Sequence, residues 1–130
     1  MEIWRWKQPS ILLIMKNDKD NLIVNLSVEF ALAIIEYCEL LEENRKFVIA
    51  HQLLKSGTSI GANVREAQNA ENKVDFIHKL KIAAKEADET EYWLILCEKS
   101  KNYPDPSLLK EKLNSIHNVI SKIIITSKKN

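Results

Sequence analysis

Apolar residues recur at spacings of three and four along most of the chain after about residue 21. This is the period of α-helices that pack by one face. Leu22, Leu26, Phe30, Ala33, Tyr37 and Leu40 predict a first helix over about 22–43, with a heptad-like seam. Val28, Leu32 and Ile35 form a second apolar stripe on the same helix, so it is expected to cover more than one surface. Phe47, Ala50, Leu54, Gly57, Gly61, Val64 and Ala67 predict a second helix over about 46–70. Val74, Ile77, Leu80, Ala84, Ala87, Leu94 and Cys97 predict the inward face of a third, over about 71–101. Tyr103-Pro104-Asp105-Pro106 stops it, because proline neither donates to nor fits a helix interior. Leu109, Leu113, Ile116, Ile120 and Ile123 predict a fourth over about 107–126, with Ser107 as its N-cap. Lys128 and Lys129 fall just past its C-terminal end, where cations are favoured. Short links between long helices imply antiparallel neighbours. The predicted fold is all-α, an antiparallel up-down four-helix bundle over residues 15–130.

Gly57 and Gly61 interrupt that regularity. A glycine inside a helix costs roughly 1 kcal/mol relative to alanine. Two on one stripe need a local reason, and close approach of a neighbouring helix supplies one. In the competing reading Gly57 ends one helix and Ser59 caps the next. The continuous helix is favoured. Lys55, Asn63 and Arg65 rule out reading the GxxxG spacing as a membrane dimer motif.

Composition narrows the class. With 130 residues, two glycines and three prolines, the chain fits one helical domain and not a turn-rich β design. No run reaches the roughly 20 apolar residues of a membrane helix. Cys38 and Cys97 lack CxxC spacing, and no secretion signal precedes them. They read as free, packed thiols in a cytoplasmic protein. Residues 1–14 share no period with the rest. They read as a dispensable arm or a start-site artefact. The alternative is an arm that docks on a partner through Trp4 and Trp6.

The catalytic signatures are missing from the sequence. There is no GxSxG, no phosphate loop and no Cys with an evident His partner. His51, His78 and His117 fall on three predicted helices, and no ExxH pair supports a di-iron bundle. No enzyme activity, cofactor, metal or small-molecule substrate is therefore expected. Asn63, Glu66 and Glu89 are instead expected to form a buried polar network between the second and third helices, fixing their register.

Charge is balanced overall, at +1, but unevenly spread. Residues 15–43 carry two lysines against seven acids, net −5. Residues 107–130 carry Lys110, Lys112, Lys122, Lys128 and Lys129 against Glu111, net +4. The favoured reading is mutual attraction of an acidic and a basic helix, within a bundle or between subunits. The sharper reading is a basic rim that binds nucleic acid. No aromatic residue is interleaved with those lysines to stack bases.

One stretch is distinctive. SGTSIGANVREAQ, followed by DFIHKLKIAAKEADETEYWL, resembles the four-helix-bundle family encoded in intervening sequences of bacterial 23S rRNA genes. Ser59, Ile60, Gly61, Ala62, Asn63 and Glu66 match its second-helix pattern. Asp75, Phe76, Glu89 and Glu91 match its third-helix pattern. Gly61 stands where the family often has proline. The resemblance covers about residues 22–126. It implies an up-down bundle, assembly into homopentameric rings, and no activity attached to the family as a whole. A related branch, the accessory protein of diversity-generating retroelements, associates with a reverse transcriptase and nucleic acid. The partner is thus expected to be the chain itself, with a further protein or a nucleic acid as the open question. Helix one's Val28, Leu32 and Ile35, with Trp93 and Leu96 of helix three, are the expected oligomer interface.

Overall fold

The computed structural model describes residues 21–129, and the reading of residues 1–14 lies outside them. Four helices follow one another: α1 (Leu22–Glu43), α2 (Phe47–Gln68), α3 (Lys73–Lys99) and α4 (Ser107–Lys128). No strand occurs among the described residues. Each helix packs on its neighbour in sequence, and α4 returns to α1. α1 and α3 are therefore diagonal in an all-α four-helix bundle. Antiparallel pairing is visible in the cross-helix partners. Asn21 reaches Gln68 at 2.8 Å, Glu66 reaches Lys79 at 3.0 Å, and Glu98 reaches Lys110 at 2.7 Å.

The helix ends are set by short polar side chains. Asn21 accepts from the Val24 amide and donates to Gln68, so one amide both caps α1 and holds it to the end of α2. Asn72 caps α3 by accepting from the Asp75 amide at 2.8 Å. At the end of α1 the Lys46 amide bonds the Leu41 carbonyl and the Arg45 amide bonds that of Glu42. This is a Schellman closure. It puts Arg45 at φ 62°, the left-handed conformation that glycine adopts more readily. Ser107 is not the N-cap of α4 but its first residue. Asp105 accepts from both its amide and its hydroxyl, which holds the Asp105 carboxyl below its usual pKa. An anion at a helix N-terminus also suits the helix dipole.

The core is built from Ile23, Phe30, Ile34 and Leu41 of α1 and Leu53, Ile60 and Val64 of α2, with Phe76, Leu80 and Leu94 of α3. From α4 it takes Leu109, Leu113, Ile116, Ile120 and Ile123, the full predicted set. In α1 the predicted Phe30 and Tyr37 are buried and Leu26 and Ala33 partly so, but the two ends of the seam lie one position away from expectation. Leu22 and Leu40 are exposed, and Ile23, Ser27, Phe30, Ile34, Tyr37 and Leu41 face inward. In α2, Phe47 and Leu54 face solvent. In α3, Val74 is 78% exposed, while Phe76 is buried. At one end the Tyr37 hydroxyl donates to the Pro104 carbonyl at 2.6 Å, tying the α3–α4 loop to α1. The Lys46 ammonium lies 5.0 Å above the Tyr103 ring, tying the two loops there to each other.

α2 is continuous through both glycines. They face α1, but with different clearances. A Cβ on Gly57 would lie 2.9 Å from Cγ1 and 3.0 Å from Cγ2 of Ile34. A Cβ on Gly61 would meet nothing nearer than the Ser27 Oγ at 3.4 Å.

Candidate interaction surface

The second stripe of α1 is not absorbed by the core. Val28, Leu32 and Ile35 are 45%, 58% and 39% exposed. Small residues beside them keep the surface low. Ser27 and Ala31 of α1 and Thr58, Gly61 and Ala62 of α2 floor a shallow, mostly apolar groove, with Val28 and Leu32 on its wall and Arg65 at its edge. Leu54, one turn before Thr58, is exposed as well. The α1–α2 face thus offers a connected apolar surface, where a monomeric protein usually shows scattered residues.

Trp93 and Leu96 lie elsewhere, on α3, diagonal from α1. Trp93 is partly buried against the core, stands edge-on to Tyr92 with centroids 5.2 Å apart, and its indole N–H donates to Glu89 at 3.4 Å. The five residues expected to share one interface therefore sit on two faces of the bundle.

The expected polar network does not form. Asn63 donates to the Ser59 carbonyl of its own helix. Glu66 pairs with Lys79 at the surface, which raises the Lys79 pKa, and exposed Glu89 accepts from Trp93. Long charged side chains at these positions reach water instead of crossing the dry seam. The buried polar contact between α2 and α3 is made by short hydroxyls. Thr90 and Ser56 are both fully buried, with oxygens 2.9 Å apart.

The α4 lysines are spread around the helix. Lys110 is paired with Glu98, and Lys112 shares a hollow between α1 and α4 with Glu29. Lys122 and Lys129 are exposed. Lys128 lies against Lys81 of α3, whose ammonium lowers the Lys128 pKa. Among the histidines, the ring of His117 is only 23% exposed. Its Nε2 is shielded from solvent with no hydrogen-bond partner among the described residues, 3.7 Å from Asp88 Oδ1.

The family model of the 23S rRNA-intervening sequence protein matches residues 19–125. The chain belongs to that family. A solved structure similar to it is that of a protein of unknown function from the S23 ribosomal protein family of Bacteroides thetaiotaomicron, at 43% identity. The match covers 81% of this chain and 94% of that one, with a TM-score of 0.61. The comparison with curated proteins gave no match.

In this member of the 23S rRNA-intervening sequence family, the motif Ser59–Glu66 turns Gly61 and Ala62 toward α1 and Glu66 toward Lys79 of α3. Ile60 is buried, Gly61 and Ala62 line the groove, and Ser59 bonds back to Lys55. Both cysteines are buried and free. Burial, then the Glu42 carboxylate, pushes the Cys38 thiol up to about 12, and burial also raises Cys97. Their reactive thiolate forms are suppressed in the folded chain. None of the four helices is long and apolar enough to cross a membrane.

Proposed function

We propose that the protein is a non-enzymatic homo-oligomeric scaffold that closes into a ring. The observation that carries this is the apolar face of α1 and α2, which lies apart from the half-buried Trp93 and Leu96 and the exposed Tyr92 of α3. Two different surfaces on one chain suit a heterologous contact, in which one face of a subunit meets another face of the next. Such contacts close into rings when the rotation from one subunit to the next closes on itself. An isologous dimer would need only one self-complementary patch. The number five rests on the family resemblance alone.

Size-exclusion chromatography with light scattering tests the reading. The expected mass is five times the 15.0 kDa of one chain. Leu32→Glu, placed on the exposed stripe, is expected to release monomers without loss of helicity. A wild-type mass of one chain at micromolar concentration would end the idea. A dimer would keep association and reject the ring.

A second reading, a nucleic-acid accessory role, draws support from the net +4 of residues 107–130, with Lys128 of α4 beside Lys81 of α3. A phosphate between two crowded ammonium groups would relieve their repulsion. In that reading a gel shift with structured RNA or duplex DNA weakens steeply with salt, and Lys81→Ala with Lys128→Ala weakens it further. No shift at low salt leaves the protein scaffold alone.

A further inference from the structure

One side-chain cluster, on α3 and α4, belongs to neither reading. Asp88 and Glu91 stand three residues apart on α3, which puts them on one helical face. His117 projects from α4 against them. One ligand atom from each of the three lies within 4.8 Å of the other two. Asp88 and Glu91 are exposed, so their side chains have room to turn. Glu91 has no hydrogen bond or ion pair among the described residues.

His117 is the informative member. A ring nitrogen screened from water ordinarily has a hydrogen-bond partner, and each exception calls for an explanation. At 3.7 Å the Asp88 oxygen is too far to be one, since N–H···O bonds cluster near about 2.9 Å. The same separation is close to the edge of a tetrahedral ligand set. With metal–nitrogen and metal–oxygen bonds of about 2.0–2.2 Å, neighbouring ligand atoms stand about 3.4 Å apart. Nε2 therefore stands from a carboxylate oxygen at about the distance at which a small cation between them would bond both.

We propose that Asp88, Glu91 and His117 bind a divalent transition-metal ion of the zinc class, linking α3 to α4 near the middle of the bundle. Imidazole nitrogen selects zinc, copper or nickel over magnesium and calcium, which prefer all-oxygen sets. Three protein ligands leave a coordination position for water or for a side chain of another subunit. The site was invisible to a search for ExxH pairs because its ligands come from two helices, in an Asp-x-x-Glu plus His arrangement. Only antiparallel packing brings them together.

Isothermal titration of the full-length protein with zinc chloride tests this. Saturable binding of one ion per chain is expected, with magnesium giving no comparable heat. His117→Ala should weaken zinc binding by more than the roughly 10–100-fold typical of losing an outer-shell partner. Because His117 is partly buried, the double variant Asp88→Asn/Glu91→Gln, both at exposed positions, provides a second test that spares the core. It should weaken binding similarly while helicity is unchanged. His51→Ala/His78→Ala should bind as the wild type does. In a histidine-detected NMR spectrum zinc should move the Nε2 resonance of His117. No saturable binding by the wild type would overturn the site. So would undiminished binding in the carboxylate double variant, or loss of binding in the His51/His78 variant.

Discussion

Replacing Gly57 by alanine is expected to destabilise the protein, and replacing it by leucine to cost about 3 kcal/mol. For a domain of this size the leucine variant corresponds to a fall in melting temperature of roughly 10 °C. Helix propensity argues the other way, since alanine is favoured over glycine by roughly 1 kcal/mol in a helix interior. Geometry decides between them. The new Cβ would sit 2.9 Å and 3.0 Å from the two γ carbons of Ile34. Those atoms are not the loose end of a flexible chain. Ile34 is β-branched, stiff at χ1 and fully buried, so its γ carbons give way only if α1 moves. Gly61 supplies the internal control. Its Cβ would make ordinary contact at 3.4 Å with Ser27, so Gly61→Ala should keep most of the propensity gain and raise stability by up to about 1 kcal/mol. Thermal melts of the three variants check both signs. Equal stabilisation by alanine at both positions would mean that α1 yields freely at Ile34 and that the seam is not close-packed there.

That difference between two glycines four residues apart was not legible in the sequence. The motif implied a close approach, and the structure shows that Gly57 alone makes a tight one. Elsewhere legibility followed how sharply each helix separates its faces. α4 is apolar on one side only, and all five of its predicted core residues are buried. α1 is apolar on two sides, and its true seam contains a buried serine, Ser27. A pattern of apolar residues alone therefore settled on the neighbouring positions Leu22 and Leu40. In α3 the first turn misled in the same way, because Val74 is as apolar as the Phe76 that fills the core. The stripe of Val28, Leu32 and Ile35 was readable as a surplus, because a bundle buries one face of each helix. The grouping of that stripe with Trp93 and Leu96 was not, since it required knowing that α1 and α3 are diagonal. The Asp88–Glu91–His117 cluster depends on the same kind of knowledge, the pairing of α3 with α4.

The polar contact between α2 and α3 fails to read for a chemical reason, and it leads to the second large effect. Charged residues draw attention in a sequence, but a dry seam favours groups short enough to be satisfied on the spot. Thr90 Oγ1 lies 2.7 Å from the Glu86 carbonyl and 2.9 Å from Ser56 Oγ. A hydroxyl has one proton. If Thr90 gives its proton to Glu86, Ser56 must donate to Thr90, and the chain Ser56–Thr90–Glu86 runs across the interface in one direction. Thr90→Val keeps the shape and removes the acceptor, leaving the Ser56 hydroxyl fully buried and without this partner. The expected cost is about 1–3 kcal/mol. Ser56→Ala in that background should restore part of the loss, because no buried hydroxyl is then left without a partner. The double variant is thus expected to lie above Thr90→Val in stability, a non-additivity that distinguishes a hydrogen bond from mere packing. Urea unfolding at one fixed protein concentration measures it, so that any self-association contributes equally to every variant. Strict additivity of the two changes, or a Thr90→Val variant as stable as the wild type, would show that the two hydroxyls are neighbours without coupling. The register of α2 on α3 would then rest on apolar packing, Leu53, Ile60, Phe76 and Leu80 included, and on the surface pair Glu66–Lys79.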